Sequence, residues 1–136
     1  MPNLKNYRLL ISHSWKYSEP YLKVVGWLKN ASYFSWSNHS VSADHPLETR
    51  TKKELREELT QQISGCHAVI VLSGMYAAYS EWIDYEISEA LRLNKPIIGV
   101  KPWGSLRIPQ NVQQNATVMV GWNAASIIAA IREYAL

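Results

Sequence analysis

The sequence predicts an α/β fold in which helices cover both faces of a parallel β-sheet. Short apolar runs of strand length alternate with longer segments that carry apolar residues at helical spacing. Such alternation is typical of right-handed crossovers, which place successive strands parallel in one sheet. The chain of 136 residues is 47% hydrophobic, which is enough for one core. We therefore expect a single domain over residues 1–136.

Four apolar runs, most of them rich in β-branched residues, are the main strand candidates. They lie at residues 7–11, 67–72, 96–100 and 117–120. A weaker run at residues 33–37 predicts one more strand. Residues 38–48 are dense in Asn, Ser, Asp and Pro, so we expect a surface loop there that covers the ligand crevice.

The spacing of apolar residues predicts helices in segments between the strands. The first of these helices is expected over residues 20–30. Thr51 and Glu54 have the spacing of a capping box, and Gly65 is suited to end the helix that they begin. Asn123 is the predicted cap of a final helix. Helices thus separate most of the predicted strands.

A third helix, predicted over residues 75–94, carries a carboxylate beside its apolar face. The apolar residues of this helix recur at the spacing of a buried stripe: Ile83, Ile87, Ala90 and Leu91. At 100° per residue, Glu86 lies on the border of the stripe, one turn after Trp82. Glu81 and Glu89 lie farther from the stripe. Glu86 is therefore the best candidate for a crevice, although its spacing also fits a helix-edge glutamate paired with a cation.

Polar and aromatic residues follow the predicted strands, at the edge where open parallel sheets bind ligands. The first three groups are Ser12, His13, Ser14 and Trp15; Ser37, Asn38 and His39; and Ser73 and Gly74. We expect these groups to line one crevice. Turn formation alone would also explain Ser, Asn and Gly at strand ends, and the concentration of Trp favours a site.

Composition argues against several classes of partner. The net charge is +3 and the pI is about 9.0, but the cations are scattered, so nucleic-acid binding is not expected. Cys66 is the only cysteine and the four histidines show no metal-binding spacing, so we expect no disulfide and no metal. A membrane span needs about 20 apolar residues, and neither such a run nor a signal-peptide pattern is present. These observations predict a cytoplasmic protein that binds no membrane.

Motifs of several enzyme classes are missing from the sequence. The patterns GxSxG, GxxxxGK[ST] and GxGxxG do not occur, which disfavours common hydrolase, triphosphatase and dehydrogenase chemistries. A receiver-type phosphoacceptor is disfavoured because the first and third predicted strands end at Ser12 and Ser73 without an acidic residue. The fold must therefore support another chemistry.

Three segments, RLLISHSWKYSEPY, SGMYAAYSEWIDYEISEA and KPIIGVKPWG, resemble bacterial TIR-like domains of the kind found in Thoeris anti-phage systems. The similarity covers nearly the whole chain. Its most specific part is the pattern S-x-W-[IV]-x-x-E-[IL], which is matched by Ser80, Trp82, Ile83, Glu86 and Ile87. The resemblance implies a flavodoxin-like (TIR) three-layer fold with a parallel sheet of about five strands and helices on both faces.

The resemblance also implies an activity. TIR enzymes cleave the nicotinamide–ribose bond of NAD and release, cyclise or transfer ADP-ribose as a signal for an effector protein, and Glu86 matches their catalytic glutamate. NAD is then the substrate, and no cofactor is implied. Many TIR domains instead bind only other TIR domains, so an adaptor that forms homo-oligomers is one alternative. A nucleoside deoxyribosyltransferase-like enzyme, which pairs a similar fold with a catalytic Glu, is another.

The expected substrate-binding residues follow the first three strands, with one further loop residue and the tryptophan one turn before Glu86. They are Ser12, His13, Ser14, Trp15, Asn38, Asp44, Ser73, Gly74 and Trp82. The tryptophans suit stacking on nicotinamide or adenine. The serines and the amides near the glycine suit hydrogen bonds to phosphate or ribose oxygens.

Overall fold

A central parallel sheet organises the structure, a computed structural model that describes residues 5–12, 19–39, 52–73, 76–101 and 108–135. The strands are β1 (Asn6–Ser12), β2 (Ser35–Asn38), β3 (Ala68–Leu72), β4 (Ile97–Val100) and β5 (Val118–Val120). They form one five-stranded sheet of order β2-β1-β3-β4-β5, and every neighbouring pair is parallel. This is the strand order of flavodoxin-like folds, so the predicted fold class is confirmed.

Helices cover both faces of this sheet. They are α1 (Glu19–Lys29), α2 (Lys52–Gly65), α3 (Tyr76–Arg92), α4 (Gln110–Asn115) and α5 (Ala124–Tyr134). Residues of α1 and α5 share one core cluster, and residues of α2, α3 and α4 share the other. The predicted cap of α5 is confirmed, since Asn123 Oδ1 accepts a hydrogen bond from Ser126 N at 2.8 Å. Among the described residues, no helix has the length and hydropathy of a membrane span.

Side chains of the central strand β3 alternate between the two core layers. Ala68, Ile70 and Leu72 pack toward α1 and α5, whereas Val69 and Val71 pack toward the other three helices. All five residues are buried. Burial on both faces explains why this strand reads as a continuous apolar run in the sequence.

Two elements differ from the predictions. The helix α4 was not predicted, because its six residues contain a single apolar side chain, Val112, and so show no helical period. The strand β2 begins at Ser35 rather than at Tyr33, whose φ of 54° is incompatible with a strand. It also ends at Asn38, which the sequence assigned to the following loop. Most of that predicted loop, residues 40–48, lies outside the described residues.

Leu91 is the member of the predicted α3 stripe that the structure does not bury. Ile83, Ile87 and Ala90 are at most 1% exposed, whereas Leu91 is 47% exposed. On the helix, Leu91 lies on the side of Asp84, which accepts a hydrogen bond from α4. Since Asp84 and Leu91 are seven residues apart, about 10 Å along the axis, the short α4 covers the first position and leaves the second at the surface.

Candidate functional site

The carboxyl edge of β1 and β3 is the position at which open parallel sheets of this strand order bind ligands. The chain leaves β1 toward β2 on one side and then crosses to β3 on the other, so the connections diverge between these two strands. Ser12 ends β1 and pairs with Val71 of β3. Ser73 follows two residues after Val71. The structure therefore brings the backbone of Ser12 and Ser73 to the same edge, as predicted.

Ser73 carries a buried hydroxyl at this edge. The residue is 4% exposed, and no hydrogen-bond partner for Ser73 Oγ lies among the residues that the structure describes. A buried hydroxyl without a partner costs about 1–3 kcal/mol, and most such groups in native proteins are satisfied. The hydroxyl of Ser73 is therefore a candidate contact for a molecule bound at the carboxyl edge.

Glu86 is the only charged residue that is buried in the described part of the chain, with an exposed fraction of 4%. Its helix packs Ile83 and Ile87 on the sheet side, and Trp82 against Leu59 of α2 on another side. The packing of α2 on α3 thus buries Glu86, which the helical spacing alone places at the border of the apolar stripe. This burial distinguishes Glu86 from a solvated helix-edge glutamate.

A hydrogen-bond network ties α3 to α2 beside Glu86. Thr60 Oγ1 lies 2.7 Å from Tyr85 Oη and donates to Glu89 Oε2 at 3.1 Å. Arg92 forms an ion pair of 2.6 Å with Glu89, and its hydrogen bond lowers the pKa of the Glu89 carboxyl. Glu89 therefore acts as a structural carboxylate. Sequence spacing gives no sign of the Thr60 contacts, because they join two helices.

Glu86 lies in the second half of α3, ten residues after Tyr76. Because this helix returns antiparallel to β3, Glu86 lies about 15 Å along the helix axis from its first residue. Residues 13–18, which follow β1, and residues 74–75, which connect Ser73 to α3, lie outside the described residues. The expectation that the carboxylate opens toward the carboxyl edge therefore stays a prediction.

The register of β2 places Asn38 at a different level of the sheet from Ser73. Asn38 pairs with Leu9, and Leu9 pairs with Ala68, the first residue of β3. Ser73 lies five residues farther along the strand direction, a distance of about 16 Å. The next residue, His39, also lies beside Leu9, because its N–H donates to Leu9 O at 2.8 Å. The strand β2 thus ends three residues below the end of β1, and the substrate contact expected of Asn38 stays a prediction.

Trp82 is half-buried and packs against Leu59, so part of its surface serves the contact between α2 and α3. Its predicted stacking on a substrate ring stays a prediction. The other predicted contacts fall outside the described residues: His13, Ser14, Trp15, Asp44 and Gly74. Within the described ranges, no cluster of three or more His, Cys, Asp or Glu could hold a metal ion.

Comparison with known protein families identifies the family of this chain. The model of the family described as Thoeris protein ThsB, TIR-like domain, matches residues 10–107. The chain belongs to this family. The match extends from Leu10 in β1 past β4, so it includes Ser73, α3 and Glu86 of this TIR-like domain. No curated protein matches the chain.

Proposed function

We propose that this TIR-like domain cleaves the nicotinamide–ribose bond of NAD in Thoeris anti-phage defence, with Glu86 as the catalytic carboxylate. The observation that carries the proposal is the burial of Glu86, at 4% exposed, within the region matched by the family. A buried carboxylate is costly, and buried ionisable groups are found preferentially at functional sites. A catalytic role would explain why Glu86 is buried despite the free-energy cost.

The reaction needs a negative charge near the ribose more than it needs an acid. When the bond from C1′ to the ring nitrogen breaks, the electron pair leaves with the nitrogen and the cationic ring becomes neutral nicotinamide. Positive charge then develops on the ribose as an oxocarbenium ion, which a carboxylate stabilises. Burial strengthens that interaction, because a low-dielectric surrounding screens it less than water does.

The products follow from what attacks C1′ next. Water that adds there and loses a proton gives ADP-ribose. If a nucleophilic group of the same ADP-ribosyl cation attacks instead and loses its proton, the product is cyclic and one water lighter than ADP-ribose. Either product can serve as a signal for an effector protein. Assembly of several TIR-like domains is part of the proposal, since such assembly can complete sites between copies.

Mass spectrometry of NAD incubated with the purified protein tests the proposal. We expect free nicotinamide together with equimolar ADP-ribose or a species one water lighter. A second arm offers deoxynucleosides and free bases, and a third adds lysate of phage-infected cells as the trigger. Base exchange on deoxynucleosides without NAD loss would favour a deoxyribosyltransferase. No turnover in any arm would favour an adaptor.

The Ser73→Ala variant tests whether the buried hydroxyl contacts substrate. Loss of one hydrogen bond to a ribose or phosphate oxygen should lower kcat/KM for NAD by about tenfold. The free energy of unfolding should stay unchanged or rise, because the variant removes a hydroxyl that has no partner among the described residues.

Ser88→Ala, at an exposed position of α3, is the matched control and should leave both quantities unchanged. Steady-state kinetics and urea denaturation supply the two measurements. A Ser73→Ala protein with reduced stability and normal kcat/KM would assign the hydroxyl to the fold instead.

A further inference from the structure

A row of basic residues crosses the amino edge of the sheet, opposite the edge that carries Ser73. Arg8, His67 and Lys95 each lie two residues before a strand residue of the same core layer, Leu10, Val69 and Ile97 respectively. The strand register pairs Leu9 with Ala68 and Val69 with Ile97. The three basic residues therefore occupy neighbouring positions, Arg8 in β1, His67 just before β3 and Lys95 just before β4. We call these three residues the basic row.

Hydrogen bonds fix two members of the basic row. Arg8 N donates to His67 Nδ1 at 2.9 Å, and His67 N donates to Arg8 O at 2.6 Å. Arg8 Nε donates to Gly65 O at 2.6 Å, which anchors the guanidinium at the end of α2. Because Nδ1 of His67 accepts, the proton of the neutral ring lies on Nε2, which is left as a donor.

The positive charge of the row is not neutralised by its described neighbours. Neither Arg8 nor Lys95 forms an ion pair with a carboxylate among residues 5–12, 19–39, 52–73, 76–101 and 108–135. Burial lowers the pKa of His67, and the positive charges of Arg8, Lys5, Lys95 and His39 lower it further. The charged groups that act on His67 are therefore all cationic.

We propose that the basic row, Arg8, His67 and Lys95, is a docking surface for an acidic segment of a partner protein. Neighbouring strands lie about 4.8 Å apart, so the row spans roughly 10 Å, a length that two or three carboxylates of one segment match. Charge complementarity of this kind gives specificity and fast association. The carboxyl edge with Ser73 stays open when the row is occupied, because the whole length of β3 separates the two edges.

The geometry favours a protein segment over other anions. Small-molecule sites are concave, whereas this row lies across a sheet edge where Arg8 is exposed. Single-stranded nucleic acid binds where aromatic rings offer stacking faces. The ring beside the row, Tyr7, is already stacked on Phe34 at 5.3 Å and has Lys5 Nζ 5.2 Å from its centroid.

Fluorescence polarisation with a labelled hexaglutamate peptide at low ionic strength tests the proposal. The double variant Arg8→Gln/Lys95→Gln should weaken peptide binding at least about fivefold, since each exposed ion pair contributes a small free energy. A control of equal charge change, Lys29→Gln/Lys53→Gln, alters exposed lysines of α1 and α2 and should leave binding unchanged. Lys95→Gln alone should weaken binding about twofold without loosening the anchor on Gly65.

Three outcomes would overturn the proposal. The wild type fails to bind the peptide, or the control weakens binding as much as the row variants do, or a six-nucleotide oligothymidylate binds the row more tightly than the peptide. Thermal unfolding of each variant accompanies the measurement. If the double variant does not fold, the single Lys95→Gln variant decides, because Lys95 makes no side-chain hydrogen bond within the described residues.

Discussion

Glu86→Gln is expected to lower NAD turnover by about a hundred- to a thousandfold. The amide keeps the shape of the side chain but loses the negative charge that the proposed oxocarbenium-like transition state requires. Loss of such electrostatic stabilisation is worth about 3–4 kcal/mol, which gives this factor in rate. The fold should persist, because a neutral amide costs less to bury than a carboxylate. Nicotinamide release, followed under conditions in which the wild type is active, is the measurement.

Glu89→Gln supplies the matched control for this experiment. It makes the same chemical change three residues later on α3, in a carboxylate that pairs with Arg92 and accepts from Thr60. We expect turnover within about twofold of wild type and a loss of at most about 1 kcal/mol of stability. Equal NAD consumption by wild type and the Glu86→Gln variant would remove Glu86 from the mechanism and leave the family assignment intact.

Ile87→Ala is expected to destabilise the protein by about 2–5 kcal/mol. Ile87 is 1% exposed and packs α3 onto the sheet beside Glu86, so truncation removes buried methyl groups and leaves a cavity. A small domain is stable by only about 5–15 kcal/mol, so the variant should unfold at markedly lower urea concentration. Urea denaturation followed by circular dichroism gives the midpoint and the slope.

Leu91→Ala tests the same stripe at the position that the structure exposes. Its side chain is 47% exposed, so we expect a loss below about 1 kcal/mol and an unchanged slope. The sequence pattern alone assigns Ile87 and Leu91 to one buried stripe and predicts similar losses. Similar measured losses would therefore support the pattern and contradict the packing described for α4.

Several features of the fold follow from local sequence. The strands β1, β3 and β4 were predicted within one residue because each contains a short apolar run of strand length, and β3 and β4 are also rich in β-branched residues. The long helix α3 and the Asn123 cap were likewise predicted, since helical period and capping depend on neighbours within one or two turns. Strand and helix alternation then determined the fold class.

The level of β2 and the helix α4 could not be predicted in this way. Asn38 pairs with Leu9, which is about thirty residues away in the sequence. The residues near Asn38 do not indicate in which register β2 pairs with β1. The six residues of α4 carry one apolar side chain, which is too few for a period. The sequence therefore identified the polar residues after the strands but not which of them share an edge.

At the candidate site, too, local sequence predicted some features and tertiary packing decided others. Sequence by itself determined that Glu86 borders an apolar stripe one turn after Trp82, because both facts follow from 100° per residue on one helix. Glu86 and Leu91 lie at similar angles on opposite sides of that stripe, so the helix alone treats them alike. Only the tertiary structure decided between them: α2 packs along one side of α3 and buries Glu86, whereas the short α4 leaves Leu91 exposed on the other. The physical reason is that burial depends on which neighbour covers a surface, and a local period cannot encode that neighbour.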